Sequence, residues 1–476
     1  MKQIIDLRAW LDEVERMGEL KHLEGVDWDQ EIGCISELNR KENAPALLFD
    51  KIKGYPAGYR VLTSSVRSLN RTALSLGLSG VKTNLELLDV IRHKLPQWES
   101  VMKDFPPQVV KDAPILENVH SGNEIDLFEF PVPKYHEMDG GRYIGTGDAV
   151  ITRDPDTGKV NLGTYRIMVH DKKTTALYIS PGKDGRIHYE KHHQQGKPSP
   201  IAISFGHHPL MLITAARPSP GPEYNFAGAI RGEPVRVIID EVTGLPIPAD
   251  SEIVIVGWSP VGKTRIEGPF GEWTGYYASK DRPAPILEVE RVYHRNNPII
   301  LGAPPSRPPS ETSYCMDTFA SAIVHNDLIK QGVPDVKGVW FNVVGGRTLV
   351  TVSIKQRYPG HAKQAAILAS QSRIAAYFGR YSIVVDDDID PSNLDEVIWA
   401  LCFRTDPEKD IDIVRQAWST PLDPTIRKPT NAYYNSRAII NACKPYDWID
   451  EFPKVVDSNP QVAARMKEKW GKLLGI

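Results

Sequence analysis

The middle of the chain changes its hydrophobic period, and this change limits the folds available to it. From about Ala149, apolar residues recur at every second position in short runs, which is typical of strands with one buried face. Gly, Pro and Asp separate the runs, and the high Pro count of 38 favours a loop-rich β region over a helical bundle. The predicted strands are Val150–Thr152, Tyr165–Val169, Ile201–Phe205, Val235–Ile239, Ile253–Val256 and Leu287–Tyr293. The pattern predicts an antiparallel barrel or sandwich.

The elements on either side of this β region predict further domains, because 476 residues are too many for one core. An apolar stripe at i, i+3, i+4 and i+7 between Leu7 and Val14 predicts a helix, with Asp6 as its N-cap. Strands and helices alternate again after Gly332. We predict an α+β or α/β multidomain chain. Its parts are an α/β domain at 1–110, a β domain at 111–310, a linking helix at 311–332 and an α/β domain at 333–476.

Composition excludes some partners and favours a compartment. The net charge of −3 and pI near 6.5 provide no basic field for nucleic acid. No signal peptide and no run long enough to cross a membrane is apparent, so we expect no membrane partner and a cytoplasmic protein. The cysteines form no CxxC pair and are expected to be reduced; they are Cys34, Cys315, Cys402 and Cys443.

Two carboxylates flank a constrained loop at Glu267-Gly-Pro-Phe-Gly-Glu272. Pro and Gly make this spacer a poor helix, so both acids can point the same way. Burial against Phe270 and Trp273 would raise a carboxyl pKa and suit acid–base chemistry. The alternative is a surface turn with two solvated acids.

Arg166, next to the predicted second strand, is the basic residue that fits these acids. An arginine inside a β-barrel needs a partner because its guanidinium cannot lose a proton, and Glu267 or Glu272 could provide one. The same group can bind a substrate carboxylate through two hydrogen bonds. The alternative is a solvated arginine on the outer face.

Asn161, Asp184 and Glu223 carry oxygen ligands of the kind that Mn²⁺ and Mg²⁺ prefer. Widely spaced oxygen residues are common, so spacing alone leaves this open. No HExxH motif or cysteine cluster indicates zinc, and no glycine-rich phosphate loop is present.

Two other polar groups have ordinary explanations. The segment from His188 to His192 has the i, i+4 spacing of a ligand pair but no apolar helical stripe, which favours a solvated segment. The acidic run from Asp386 to Asp390 follows a predicted strand and could bind metal. Acidic strand ends before a helix are more often solvated caps.

Taken together, these pieces resemble one family end to end: the UbiD family of prenylated-flavin-dependent (de)carboxylases, which includes ferulic acid, protocatechuate and furandicarboxylate decarboxylases. The order and spacing of four stretches agree with it, and the Glu-Gly-Pro-Phe-Gly-Glu run is the most specific of them. The stretches are Asn161-x-x-x-x-Arg166, Glu223-x-x-x-x-Gly228-Ala-Ile230, Glu267 to Glu272 and Val384 to Asp390. The resemblance implies a split β-barrel that binds prenylated FMN and a C-terminal domain that forms oligomers.

The resemblance also implies catalytic roles for the arginine and the two acids. Arg166 would hold the substrate carboxylate, Glu267 would orient Arg166, and Glu272 would protonate the ring carbon after CO₂ leaves. The implied reaction is reversible, non-oxidative decarboxylation of an aromatic or heteroaromatic acid. A flavin-less or partner-requiring scaffold subunit is the alternative, and a flavin-free metal-dependent hydrolase lacks a recognisable base.

The implied cofactor contacts are more widely spread. Cofactor-binding positions would be Asn161, Thr164, Tyr165, Arg166, Lys183 and Arg380. Mn²⁺ or Mg²⁺ would bind at the flavin phosphate through Asn161, Asp184 and Glu223, with K⁺ as an additional candidate ion. The family uses a histidine where this chain has Ser180 to Asp184, so Asp184 is our choice. Lys183, contacting the phosphate directly, and His188 are the alternatives.

Substrate and partner expectations follow from the same resemblance. Arg307, Tyr314, Tyr433 and Arg437 would bind a second polar group on the substrate. The segments that carry them are Pro304 to Pro309, Glu311 to Tyr314 and Asn431 to Arg437. We expect a homodimer or homohexamer, with a flavin prenyltransferase supplying the cofactor.

Overall fold

The computed structural model of the protein describes residues 4–217, 219–278, 280–428, 430 and 432–474. Helices and strands are mixed along this length, as predicted, and one long helix separates the β-rich middle from a C-terminal α/β layer. Asn431, at the start of a predicted substrate segment, lies outside the described residues.

The N-terminal elements form a helix-covered sheet. They are α1 (Leu7–Arg16), β1 (Leu20–Glu24), α2 (Glu31–Leu38), β2 (Ala46–Asp50), β3 (Arg60–Thr63), α3 (Leu69–Ser75) and α4 (Asn84–Val101). Asp6 caps α1 by accepting a hydrogen bond from the amide of Ala9 at 2.8 Å. The predicted apolar stripe from Leu7 to Val14 is buried. The sheet takes its fourth strand from much later in the chain, where Ile299–Leu301 pairs in parallel with β3.

The middle elements are mainly strands. They are β4 (Gln108–Val109), β5 (Asn118–Ser121), β6 (Arg142–Gly145), β7 (Ala149–Arg153), β8 (Val160–Gly163), β9 (Ile167–Asp171), β10 (Thr174–Ala176), α5 (Asp184–Gln194), β11 (Ser199–Phe205), α6 (Pro209–Ala215), α7 (Glu223–Arg231), β12 (Arg236–Ile239), β13 (Pro246–Pro248), β14 (Ile253–Ser259), β15 (Thr264–Glu267), β16 (Arg282–His294) and β17 (Ile299–Leu301). Short 3₁₀ turns separate several of them, including one at Leu127–Glu129.

A ten-stranded antiparallel sheet dominates this region, and its main path runs β6-β9-β10-β16-β14-β11-β7-β8. The path has two ends, as expected for a half-barrel rather than a closed one. One prediction about it was wrong: the strand near Val235 belongs to a separate three-stranded sheet, β13-β12-β4. A second strand also begins later than predicted, since β9 starts at Ile167 and leaves Arg166 in the connection after β8.

The C-terminal part begins with the linking helix and continues as an α/β layer. The elements are α8 (Glu311–Lys330), β18 (Val336–Phe341), β19 (Leu349–Ile354), α9 (His361–Gln371), α10 (Arg373–Ala376), β20 (Tyr381–Asp386), α11 (Leu394–Arg404), α12 (Pro407–Asp410), β21 (Ile411–Trp418), β22 (Tyr434–Ala442) and α13 (Pro460–Leu474). The predicted hairpin of β18 and β19 is present, and β19, β20 and β22 pair in parallel. The sequence analysis did not identify β21 and β22.

The structure contradicts the solvated assignment at His188 and at Asp386, whereas Asp387 and Asp388 are exposed. His188 lies on α5, is buried, and its Nδ1 is 2.9 Å from the hydroxyl of Thr152. Asp386 is also buried, and Arg404 donates to Asp386 at 3.0 Å and to Asp388 at 2.8 Å. The acidic run is therefore held by a buried arginine, as burying a carboxylate requires.

Within the described residues, no helix has both the length and the apolarity needed to span a membrane. Cys34, Cys402 and Cys443 are free thiols, as predicted. The side chain of Cys315 lies outside the described part of the chain.

Candidate active site

The loop between β15 and β16 brings its two acids to the same place. Glu267 is the last residue of β15 and is fully buried. Gly268 follows with φ +87°, a conformation that other residues rarely adopt. The amide of Glu272 donates to the carbonyl of Tyr276 at 3.0 Å, which folds the second acid back over the first. The predicted tight loop is present, and its acids are not solvated.

Arg166 lies between the two acids. Its Nε and Nη2 donate to the two oxygens of Glu267, each at 2.8 Å, and its Nη1 donates to Glu272 at 2.8 Å. The hydroxyl of Tyr143 donates to Glu267 at 3.1 Å. Only 9% of the Arg166 side chain is exposed, so the alternative of a solvated arginine is wrong. The structure thus contains a buried cation between two carboxylates.

Two ionisable groups of this cluster, Glu272 and Arg166, have shifted pKa values. Burial raises the pKa of Glu272; Arg166 and Arg282 oppose the rise, and the charge of Glu267 adds to it. Burial would lower the pKa of Arg166, but its hydrogen bonds and ion pairs with the acids outweigh this, so its pKa is raised. Arg166 therefore stays charged while Glu272 is the acid that can be protonated nearer neutral pH.

Aromatic rings hold the cluster in position. Tyr143 stacks on Phe270 with ring centroids 3.8 Å apart. The guanidinium of Arg166 lies 4.9 Å from the ring centroid of Tyr178, and that of Arg282 lies 4.1 Å from the same centroid. Arg282 also donates to the Tyr178 hydroxyl at 2.9 Å. Such contacts stabilise planar cations and limit their rotation.

A second polar group lies where β8 meets the start of α7. Glu223, the first residue of α7, is buried and accepts a hydrogen bond from the amide of Leu162 at 3.0 Å. Burial raises the pKa of Glu223 to about 7, with a smaller contribution from the charge of Asp184. Asn161 on β8 is buried, and its Nδ2 has no hydrogen-bond partner among the described residues. The positive charge of Lys159 acts on Glu223, and a buried oxygen-rich group of this kind could also bind a cation.

Comparison with known proteins identifies the family. Three domain models match this chain, each described as part of a 3-octaprenyl-4-hydroxybenzoate carboxy-lyase. The UbiD N-terminal domain matches residues 11–91, the Rift-related domain 108–308 and the C-terminal domain 314–442. The chain belongs to the UbiD family of carboxy-lyases.

Relatives of this UbiD chain cover nearly its full length. A phenolic acid decarboxylase of Sedimentibacter hydroxybenzoicus is 34% identical over 454 residues, covering 92% of each chain. A solved vanillic acid decarboxylase from the same organism is 32% identical and covers all of both chains. Its TM-score is 0.84 in an open form and 0.78 in a closed form. A UbiD-class enzyme of Pelotomaculum thermopropionicum, solved with FMN, is 28% identical with TM-score 0.84, covering 96% of this chain and 98% of its own.

The predicted third metal ligand is less enclosed than the other two. Asp184 begins α5, and 53% of its side chain is exposed; its nearest cation is Nζ of Lys159 at 3.8 Å. Lys183 is the alternative to Asp184. Desolvation and the positive charge of Arg347 from the C-terminal domain lower the pKa of Lys183. Two cations therefore approach each other across the domain boundary, an arrangement that suits an anionic group. His188 is directed at Thr152 and lies 4.0 Å from Asp154.

The remaining cofactor candidates have protein partners. Thr164 donates to the main-chain carbonyl of Asp148 at 3.0 Å, and Tyr165 has its pKa raised to about 12 by burial. Arg380 is paired with Asp423 and donates to the hydroxyl of Thr425 at 2.9 Å. The structure does not place these three side chains in one group.

A small cavity lies close to the acid loop, and two predicted substrate segments help to line it. Pro304 to Ser306 and Glu311 lie on its wall. Pro305 packs beside Gly271, where an added Cβ would come within 3.2 Å of its ring. Of the predicted side chains, Arg307 is mostly exposed and 3.3 Å from Glu37, which is also on the cavity wall, and Tyr314 is buried in α8.

The two candidates for substrate binding in the C-terminal domain, Tyr433 and Arg437, differ in burial and in their contacts. Tyr433 is half-buried and precedes β22. Arg437 is buried and donates to the main-chain carbonyls of Ser370, Ala376 and Trp418. Its donors hold the C-terminal domain together, and substrate binding by Arg437 stays a prediction.

Sequence reasoning missed several side chains near the two acids and near Lys183. They are Tyr143, Tyr178, Arg282 and Arg347. Trp273, which the sequence analysis placed beside the acids, packs edge-to-face on Phe378 of the C-terminal domain with ring centroids 5.3 Å apart. For the missed residues the one available signal was the proximity of Arg282 to Glu272 in the chain, because the others are far away in sequence.

Proposed function

We propose that the protein catalyses reversible, non-oxidative decarboxylation of an aromatic or heteroaromatic carboxylic acid on a prenylated flavin. The observation that carries the proposal is the buried Arg166 between Glu267 and Glu272, with all three contacts at 2.8 Å. The UbiD family supports it, as do relatives named for decarboxylating phenolic and vanillic acids.

The residues at β8 and α7 fit a cofactor phosphate with a divalent cation. Asn161 and Glu223 would ligate Mn²⁺ or Mg²⁺ through oxygen, and Asp184 would complete the set. Burial of the Glu223 carboxylate, which raises its pKa, is what such a cation would offset. Lys183, next to Arg347, would face the phosphate charge. When bound, the modified flavin supplies an electron sink for the carbon that loses CO₂.

Arg166 would bind and orient the substrate carboxylate. Its guanidinium has five N–H groups, and three are used on the two acids. One N–H therefore remains on each terminal nitrogen, enough for a two-pronged contact with a carboxylate. Glu267, held on its other side by Tyr143, keeps the guanidinium plane from rotating.

Glu272 would hold and deliver the proton that replaces CO₂. It is the less buried acid, with 16% of its side chain exposed compared with none for Glu267. Its raised pKa favours the protonated form, which general acid catalysis requires. In the carboxylating direction the same group would accept the ring proton.

The substrate proposal is an aromatic acid with a second polar substituent, consistent with the phenolic and vanillic acids of the relatives. The cavity beside the acid loop contains Arg67 and His136 in its wall in addition to the predicted segments. The candidates for that contact remain Arg307, Tyr314, Tyr433 and Arg437.

The C-terminal domain would form the homo-oligomer. Large apolar side chains are exposed on α11 and β21, namely Trp399, Phe403, Ile413, Val414 and Trp418. Such an exposed patch is typical of a protein–protein contact. A flavin prenyltransferase would provide the cofactor before or during assembly.

The test is CO₂ release from protein made together with a flavin prenyltransferase. The panel is protocatechuate, 4-hydroxybenzoate, vanillate, furan-2,5-dicarboxylate, pyrrole-2-carboxylate and cinnamate. Glu272→Gln should abolish release while retaining the flavin spectrum. Glu288→Gln, an exposed acid on β16 paired with Lys263, is the matched control and should be active. Release that persists in Glu272→Gln would contradict the assigned proton donor, and failure to retain any flavin would contradict the cofactor.

A further inference from the structure

Three potential ligand side chains converge away from the acid loop. His120 lies on β5, Glu129 ends the 3₁₀ turn at Leu127–Glu129, and His294 is the last residue of β16. Strands β5 and β16 pair antiparallel, which places the two histidines beside each other with ring centroids 5.0 Å apart. One ligand atom from each of the three residues lies within 4.8 Å of the other two.

All three ligand atoms are buried and unsatisfied. His120 Nδ1, Glu129 Oε1 and His294 Nε2 have no hydrogen-bond partner among the described residues. His120 Nδ1 and Glu129 Oε1 are 3.2 Å apart without hydrogen-bond alignment. A buried polar atom left unpaired is destabilising, so three at one point call for a bound partner.

The protonation of His294 is set by its surroundings. Its Nδ1 lies 2.9 Å from the carbonyl of Arg295, and a carbonyl only accepts, so Nδ1 carries the hydrogen. Nε2 then presents a lone pair towards the other two side chains. A ligating histidine commonly has its other nitrogen held in this way. Phe130 packs edge-to-face on the ring at 5.4 Å and fixes its orientation.

We propose that His120, Glu129 and His294 bind a divalent transition-metal ion, with Zn²⁺ as the best match. Two imidazoles and one carboxylate form a ligand set that zinc uses with water in the fourth position, whereas Mg²⁺ and Ca²⁺ prefer oxygen alone. Zinc–ligand bonds of about 2.0–2.1 Å place ligand atoms about 3.4 Å apart in a tetrahedron. The partly exposed His120 and Glu129 can close that distance by side-chain rotation.

The ion would cross-link three segments of the middle domain. β16 begins at Arg282, beside the acid loop, and ends at His294 in the proposed zinc site. Zinc would fasten the far end of this strand to β5 and to the turn before Phe130. This site has nitrogen ligands and is separate from the oxygen-only group of Asn161 and Glu223, so it stands independently of the proposed decarboxylation.

The test is zinc binding to metal-free, full-length protein without flavin, in excess Mg²⁺ to occupy oxygen-only sites. Titration calorimetry should give one Zn²⁺ per chain that is lost in His120→Asn and in Glu129→Gln. His22→Asn is the matched control, because His22 Nε2 lies 3.0 Å from Glu15 on the surface with no third ligand among the described residues. That variant should bind zinc like the parent chain. Zinc should also raise the melting temperature of the parent and control chains only.

Cobalt substitution provides a readout that needs no variant. Co²⁺ in this site should give visible ligand-field bands, and X-ray absorption should report two imidazole nitrogens. Absence of zinc binding in the parent chain, or equal binding in both site variants, would overturn the proposal. Oxygen-only ligation of Co²⁺ would overturn it as well, even if a variant failed to fold.

Discussion

The two carboxylate oxygens of Glu267 accept hydrogen bonds from Nε and Nη2 of Arg166, both at 2.8 Å. This paired contact is planar, so it defines the direction in which the remaining N–H groups of Arg166 point. Glu267 is fully buried and also accepts from Tyr143, which leaves the arginine one orientation. The orientation of the Arg166 guanidinium is therefore set by the protein itself.

Arg166→Lys should lower kcat by about 10²-fold or more, because a lysine is a point charge that cannot bind Glu267 in two places and still reach Glu272. Steady-state CO₂ release measures this. Arg265→Lys is the matched control, since Arg265 lies on β15 but is exposed and paired with Asp171. Equal losses in the two variants would contradict a specific role for Arg166.

Tyr143→Phe should lower kcat about tenfold with little change in KM. The substitution keeps the ring that stacks on Phe270 but removes the hydroxyl 3.1 Å from Glu267. Tyr277→Phe is the matched control. It removes a hydroxyl that donates to Asp139 instead of Glu267, and it should change kcat very little. A change in KM alone would show that Tyr143 acts on binding rather than on the position of the acids.

The rate of decarboxylation should fall as pH rises through the pKa of Glu272. Burial raises this pKa, so the acid stays protonated at a higher pH than an ordinary carboxyl group, and activity needs the protonated form. A kcat profile against pH measures the descending limb. Glu288→Gln should leave that limb in place, whereas a limb unchanged in Glu272→Asp would assign it to another group.

Glu223 should make the metal-free protein less stable as pH rises. Its folded pKa of about 7 exceeds its ordinary value of 4.5, so the folded state binds this proton more tightly. The stabilising contribution is complete below about pH 4.5 and is lost by about pH 7, an effect of about 3 kcal/mol. Glu223→Gln should remove that part of the pH dependence in urea unfolding. Glu190→Gln, a half-exposed pair with Arg186, should not.

Asp184→Asn should weaken Mn²⁺ binding at least tenfold if Asp184 is the third ligand, measured by calorimetry on the flavin-free protein. Asp156→Asn is the matched control, because its side chain is also 53% exposed and it pairs with Lys191. Unchanged Mn²⁺ affinity in Asp184→Asn, combined with weaker FMN binding in Lys183→Ala, would favour the lysine instead.

Local patterns predicted much of the fold because they depend on residues close in the chain. The helical stripe from Leu7 to Val14 and the two-residue period of the middle strands are such patterns. The strand near Val235 has the same period, yet it pairs with β4 and β13. Alternation predicts a buried face but does not say which sheet buries it.

The candidate site likewise contains some residues that the sequence predicted and others that only the structure revealed. The Glu267 to Glu272 loop was recognisable because Gly and Pro exclude a helix and because the resemblance is specific there. The supporting side chains Tyr143 and Tyr178 were not, since they reach the acids from other strands. Arg437 is also informative: its contacts with main-chain carbonyls could not be predicted from the sequence, since those carbonyls belong to other segments of the chain.

The sequence by itself determined the family and the order of its parts, because recognisable local motifs carry them. Through the same resemblance it named Arg166, Glu267 and Glu272. Only the tertiary structure decided that Arg166 lies buried between both acids. It also decided that His120, Glu129 and His294 meet at one point. Arg166 and Glu267 are 101 positions apart in the chain, and His120 and His294 are 174 positions apart. Strand register and packing, which no local pattern records, bring them together.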